Sequence, residues 1–154
     1  MRTSGFFMAA ALSAAIATPA LAALSVEKQI ETRQGAFTFA SWNMGKIKAQ
    51  AVKGDVAYNR EQMMAAANAI ASVANSGLGS LFGPGTAMDQ NKDTELKPVF
   101  FEKPDRAREV ALAFARESTK LQEVAATGDK TALAAQFSEV GKTCKACHDD
   151  FRAE

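Results

Sequence analysis

Five residues near the end of the chain, Cys144-Lys145-Ala146-Cys147-His148, carry its clearest chemistry. Two thiols three positions apart, with an imidazole directly after the second, form the attachment pattern of c-type haem, in which the thiols add to porphyrin vinyl groups and the imidazole binds iron. On a helix the spacing has a physical reason, because Cys144 and His148 are four apart on one face and Cys147 is three from Cys144 on the same side. One turn then holds both the porphyrin edge and its metal. Three other readings compete. A thioredoxin-like pair normally opens a helix after a strand, whereas this pair lies deep inside a helical pattern near the chain end. A zinc site would have two thiolates and one imidazole but no second cluster to close the tetrahedron. A merely buried cysteine pair would not need His148 beside it.

His148 is the only histidine, so two imidazoles from one chain cannot share an iron. The sixth position falls to a methionine, another donor, water or nothing. Beyond residue 22 the methionines are Met44, Met63, Met64 and Met88, and a methionine on a helical seam is more often core than ligand. Arg33 is the other informative side chain. It falls between Ile30 and Phe37 on an apolar stripe, where a guanidinium is costly to bury without an anion. Haem propionates would supply one; the alternative is an arginine whose stem reaches out to water near the bundle end.

The elements that must position these groups are helices. From Val26 to Lys53, the residues Val26, Ile30, Arg33, Phe37, Ala40, Met44, Ile47 and Ala51 recur at steps of four and three, a heptad seam. A second helix opens on the capping-box pattern Asn59-Arg60-Glu61-Gln62, carries Met63, Ala67, Ile70 and Ala74, and stops at Asn75-Ser76-Gly77. A third runs from Pro104 to Ala126 with Val110, Phe114, Leu121 and Val124 on one face and Gly128 as its stop. Asp129 caps the fourth, where Leu133, Phe137, Val140, Cys144, Cys147 and Phe151 place both cysteines on the core-facing stripe. The pattern predicts an all-α, antiparallel up-down four-helix bundle enclosing a covalent haem. Between the second and third helices, residues 76–103 form a long irregular connection, rich in glycine yet too apolar to be a free linker. It caps one end of the bundle, a role compatible with lining a cofactor.

Composition narrows the rest. The chain has 154 residues, 47% of them hydrophobic, with 18 basic against 17 acidic side chains, which gives no electrostatic footprint for nucleic acid. Its 32 alanines leave few bulky side chains for a bundle centre, a gap that a porphyrin would fill. Residues 1–22 read as a cleavable export signal: Arg2 is a basic start, Gly5 to Ile16 is apolar, and Ala20-Leu21-Ala22 has the small-x-small pattern of a cleavage site. Ser13, Thr18 and Pro19 argue against a membrane anchor. Cleavage after Ala22 leaves residues 23–154 as one haem-binding domain with no further membrane insertion, in an oxidising compartment, most simply a periplasm.

Three stretches bring in a resemblance. The first helix, Arg33-Gln34-Gly35-Ala36-Phe37-Thr38 continuing to Asn43-Met44-Gly45-Lys46, the loop Leu81-Phe82-Gly83-Pro84-Gly85-Thr86, and the ending from Val140 to Arg152 are similar to cytochromes c′. The resemblance covers essentially all of residues 23–154. It implies one covalent, pentacoordinate high-spin haem and, commonly, a homodimer through the first two helices. It places Arg33 and Gln34 near the propionates and Thr94 and Glu95 at the haem edge, in a loop that looks lengthened and has Phe100 where the family often has Trp. Arg152, one turn beyond His148, would flank the proximal face, where it could hydrogen-bond a gaseous ligand or tune the imidazole; read by itself it is a solvated arginine favoured by the helix dipole. Phe37 matches the distal position, commonly apolar in cytochromes c′ and a ligating methionine in low-spin relatives. A phenyl ring cannot donate to iron, but it can exclude water and crowd a ligand. Phe39, two positions on, points elsewhere.

Two function classes follow. One is a protein that binds small diatomic gases such as NO and CO at an open iron; the other is a carrier passing electrons to periplasmic redox partners, in its alternative form a low-spin six-coordinate haem with a methionine sixth ligand. An open site slows simple electron transfer through changes of spin and ligation, which favours gas binding. A haem-free helical interaction module would leave Cys144, Cys147, His148 and Arg33 unexplained. No dedicated catalytic acid or base is seen, which argues against an enzyme.

Overall fold

The computed structural model describes residues 24–154, and the expected export signal lies outside the described residues. Four long helices carry the architecture. α1 (Val26–Ile47) starts at Ser25, whose hydroxyl accepts from the Lys28 amide, and runs without a break into a wider π-helical segment, Lys48–Lys53. The continuous stretch matches the expected bounds, but its last turns are unwound. Gly54 then reverses the chain at φ 75°, a conformation that suits glycine. α2 (Arg60–Ala74) follows, then the long connection, which contains a 3₁₀ turn at Leu78–Leu81 and the one-turn α3 (Val99–Glu102). α4 (Pro104–Thr127) begins on its proline and ends at Gly128, φ 81°. α5 (Lys130–Phe151) is capped by Asp129, whose carboxylate accepts from the Ala132 amide at 2.9 Å.

The capping box of α2 forms by a different route from the one its spacing predicts. Asn59 Oδ1 accepts from the Gln62 amide at 2.9 Å, but the Gln62 side chain does not return to the Asn59 amide. That amide donates to Gln50 Oε1 at 2.8 Å, while Gln50 Nε2 donates to Gln62 Oε1 at 2.7 Å. The unwound end of α1 therefore delivers a buried glutamine that caps the next helix, satisfying both ends of its amide group.

α1 packs on α2, α2 on α4 and α4 on α5, while the fourth side of the bundle, between α5 and α1, is made chiefly by the Lys48–Lys53 segment. Around this frame Ile47, Met63, Ala67, Ile70, Leu121, Leu133 and Val140 are fully buried, with Ala51, Ala66 and Ala125 letting the helices approach closely. A smaller cluster at the other end joins Ala107, Val110 and Phe151 to Leu96, Val99, Phe100, Ala146 and Cys147. The connection is thus part of the core at that end. No strand occurs among the described residues beyond one antiparallel bridge, Leu96 to Arg152, and none of their helices is long and apolar enough to cross a membrane.

Candidate haem site

Cys144 and Cys147 lie one turn apart on α5, both unpaired and partly buried, Cys144 against the large core and Cys147 against the small one. Burial raises the pKa of both thiols, and for Cys147 the neighbouring Cys144 and Asp150 add to the rise while Arg106 opposes it. Two unpaired thiols one turn apart, beside an imidazole, are the groups that attachment to two vinyl positions requires. Among the described residues no group of three His, Cys, Asp or Glu side chains is disposed to hold a metal ion. His148 is exposed, and its imidazole has no hydrogen-bond partner among the described residues. Its pKa is lowered, first by desolvation and then by Arg152, against Asp149 and Glu95. The neutral ring keeps its lone pair available.

α1 brings three of the expected residues to the same end. Arg33 is only 4% exposed, yet no carboxylate meets it. Its Nη1 donates to Leu81 O at 3.0 Å, and its Nη2 donates to Thr86 O and Thr94 Oγ1, each at 2.7 Å. Its guanidinium also stands 4.8 Å from the centre of the Phe82 ring. Burial lowers its pKa from the ordinary arginine value, as expected for a cation held by neutral oxygens. Gln34, the next residue, donates to Asp93 O at 2.8 Å. Phe37, which the spacing puts on the inward seam, is instead 41% exposed and joins neither core cluster, because α1 packs on α2 and scarcely on α5. Phe39 points elsewhere, 5.8 Å from Trp42 ring to ring.

The long connection meets the end of α5. Thr94 is buried and its hydroxyl also accepts from the Leu96 amide at 3.1 Å. Glu95 O accepts from the Ala153 amide, and Phe151 O accepts from the Lys97 amide, both at 2.8 Å. Across this short ladder Arg152 Nε donates to Glu95 Oε2 at 2.6 Å. The four methionines among the described residues are placed unequally: Met63 is fully buried, Met44 and Met64 pack against the large core, and Met88 is 44% exposed in the connection.

The geometry joins a tethering pair, an imidazole and a buried uncompensated cation at one end of a helical bundle, and residues 28–152 match the family described as Cytochrome C′. The chain belongs to the cytochrome c′ family. It is 48% identical over 143 residues to cytochrome c′ of Allochromatium vinosum, covering 90% of each chain. The solved cytochrome c′ of Thermochromatium tepidum superposes with a TM-score of 0.78 at 43% identity, covering 86% of this chain and all of that one. A nitric oxide complex of an Alcaligenes xylosoxidans cytochrome c′ variant superposes at 0.74 with 29% identity, over 84% of this chain and 96% of that one. A carbon monoxide-bound variant from the same organism gives 0.75 at 28% identity, over 84% and 98%.

Covalently bound c-type haem is the cofactor that membership in the cytochrome c′ family implies, and the side chains described above fit it: two neutral thiols, a free imidazole and a buried cation without an internal counter-ion. The sequence reading missed the aromatic run that binds this cytochrome c′ end together. Phe82 stacks on Phe100 with ring centres 4.8 Å apart, and Phe100 meets Phe101 and Phe151 edge to face at 5.4 and 5.2 Å. The partners are too far apart in sequence for periodicity to join them.

Proposed function

We propose that this chain is an exported, periplasmic cytochrome c′ with one haem on Cys144 and Cys147, His148 as its axial ligand, and a five-coordinate iron that binds NO and CO. The observation that carries this reading is where the candidate sixth ligands lie: Met44, Met63 and Met64 are engaged in the core, and Phe37, the expected distal residue on α1, is a ring without a donor atom. When bound, the haem would supply a redox-active iron able to take a diatomic ligand.

The chain's own groups would do the rest. Cys144 and Cys147 fix the porphyrin edge to α5, and neutral His148 presents a nitrogen lone pair. Phe37 excludes water and gives an incoming ligand no hydrogen bond, so small uncharged diatomics are favoured by size. Arg33 and Gln34 hold the connection at Thr94 and Asp93, and the Arg33 charge would set a positive field where the propionates would lie; Thr94 and Glu95 would meet the haem edge, and Arg152 would flank the His148 face. The same centre can exchange electrons with periplasmic partners, its potential tuned by burial and by the axial ligand. Export through residues 1–22, with cleavage after Ala22, belongs to this proposal.

A second copy is the partner proposed for the outer face of α1. Phe39 and Trp42 are 48% and 58% exposed there, and Gly35 and Gly45 share the face with no atom within 4 Å of where a Cβ would stand.

The deciding experiment is an absorption and electron paramagnetic resonance spectrum of the purified protein, ferric and ferrous, with and without NO and CO. A high-spin resting spectrum that responds to both gases is expected. A low-spin spectrum indifferent to CO would replace the open site with the methionine-ligated electron carrier. Replacing Cys144 and Cys147 by Ala should abolish haem that survives denaturing extraction.

A further inference from the structure

His148 lacks the contact that usually aims a metal-binding imidazole. Such a ring commonly donates its other N–H to a carboxylate or a carbonyl, which fixes its orientation. Here the imidazole is exposed and has no hydrogen-bond partner among the described residues. Its direction is therefore set by the backbone that carries it, the last turn of α5.

Two neighbouring contacts hold that turn to α4. Phe151 is 1% exposed and shares the small core cluster with Ala107 and Val110. Beside it, Arg106 Nε donates to Asp150 Oδ2 at 2.8 Å. The two contacts differ in kind. Apolar packing fixes how closely the turn approaches α4, but it is non-directional. A charge-assisted hydrogen bond has a preferred geometry and resists rotation of the turn about the helix axis. Asp150 lies two residues after His148, about 200° round the helix. Holding Asp150 against α4 thus turns His148 toward the opposite side.

Arg106 is itself set in place. Its Nη1 meets Glu109 Oε2 at 2.9 Å, one turn along α4, so a planar, rigid fork is engaged at two atoms. The bonds to Asp150 and Glu109 push its pKa above the ordinary arginine value, and the side chain stays charged. A cation in the first turn of a helix opposes the helix dipole, so helical preference does not account for an arginine two residues after Pro104. With Arg106 41% and Asp150 38% exposed, the pair adds little to global stability. Both stems stand on packed helices, so it directs the turn at small entropic cost. Among the described residues, no other side-chain ion pair joins α4 to the last turn of α5.

We propose that Arg106 is a positioning residue for the axial imidazole: by holding Asp150 against α4 it fixes the rotation of the turn that carries His148, and so the direction in which the ring meets iron. The proposal rests on the reading that His148 is the axial ligand of a five-coordinate haem. Arg106 acts through Asp150, so loss of either should have the same effect as loss of both.

The test uses the haem-loaded ferrous protein and reads the iron–imidazole stretching band by resonance Raman spectroscopy. Arg106→Met and Asp150→Asn should each broaden and shift the band, the double variant should match either one, and Arg106→Lys should restore part of the wild-type band. Lys142→Met, which breaks the exposed Lys142–Glu139 pair on the same helix, should leave it unchanged. An unaltered band in Arg106→Met, an additive double variant, or an equal shift in Lys142→Met would overturn the proposal. Absence of the band from the wild-type protein would instead sink the reading of His148 as the axial ligand of a five-coordinate iron.

Hydrogen exchange judges the positioning whatever the coordination of the iron. The Arg152 amide, which donates to His148 O at 3.0 Å, should exchange about threefold faster in Arg106→Met, the scale of a partly exposed ion pair. Val140, midway along α5, should keep its rate. An unchanged rate at Arg152, or equal acceleration at both amides, would show that Arg106 does not fix this turn.

Discussion

Replacing Arg33 by methionine tests whether the end of the bundle is organised by one buried cation. The substitution keeps most of the side-chain volume and removes three hydrogen bonds, to Leu81 O at 3.0 Å and to Thr86 O and Thr94 Oγ1 at 2.7 Å. Bonds from an ionised donor contribute ~1.5–3 kcal/mol each, so the three together are worth roughly 4–9 kcal/mol before desolvation is subtracted. Burial of the guanidinium costs several kcal/mol, the physical origin of its lowered pKa. The net loss on substitution is then about 2–4 kcal/mol, with Thr86 O left buried and short of its strongest donor. For a domain of this size that corresponds to a melting temperature lower by about 10 °C.

The loss should also be local. Thermal unfolding of the haem-loaded protein reads the total, and amide hydrogen exchange locates it: Met88 and Leu96, whose amides bond within the connection, should exchange faster, while the amides of α4 stay protected. Arg33→Lys, with its charge retained but one nitrogen in place of a fork, should fall between wild type and Arg33→Met. A methionine variant as stable as wild type, with the connection still protected, would refute the argument. Arg33 would then be a tolerated burial with no organising role.

Phe37→Met should convert much of the resting haem to a low-spin six-coordinate form, read by electron paramagnetic resonance; an unchanged spin state would count against Phe37 facing iron. Since that ring is 41% exposed, the substitution should change stability by less than about 1 kcal/mol. Gln50→Leu should expose the loss of both amide bonds at the start of α2 as a destabilisation of about 1–3 kcal/mol in denaturant titrations, and a neutral result would refute the cap assigned to it. Glu117 is held below its ordinary carboxylate pKa of 4.5 by hydrogen bonds from Gln136 and Arg116, so its contribution is complete above that value and lost as the pH falls through the depressed one. Glu117→Gln should therefore weaken the acid dependence of the melting temperature, and an unaltered slope below pH 4.5 would contradict the assignment. Trp42→Glu should shift sedimentation toward the monomer if the outer face of α1 joins two copies.

What the sequence made legible was whatever repeats or sits locally. Steps of four and three located the helices and placed Cys144 and Cys147 on the inward stripe of α5; Gly128 and Asp129 marked the break between α4 and α5 because turn and cap chemistry is local. Arg33 stood out because its charge violated a seam. Its partners did not, since two of them are backbone oxygens, which every residue possesses and no pattern distinguishes. Periodicity also put Phe37 on the seam without revealing its exposure, which depends on how far α1 stands from α5. The exchange of partners among Gln50, Asn59 and Gln62 was hidden for a related reason: the pattern names a local cap, but the geometry of a π-helical segment decides which glutamine reaches it.

Arg33 is where packing and charge meet at this end of the molecule. Had a glutamate faced it, the pair would have closed on itself, with most of its field cancelled within a few ångströms. Neutral oxygens fix the guanidinium in place as firmly, yet they leave its positive charge uncompensated in a poorly solvated position. An anion arriving at this end would recover part of that cost without any side chain having to move, which is the arrangement the proposed propionates require. The same three bonds hold the connection down onto α1, so that loss of the cation would weaken the anion's attraction and loosen the connection where it reaches Arg152. Structural and electrostatic consequences of one residue should therefore appear together, at Leu96 by hydrogen exchange and in the haem spectrum.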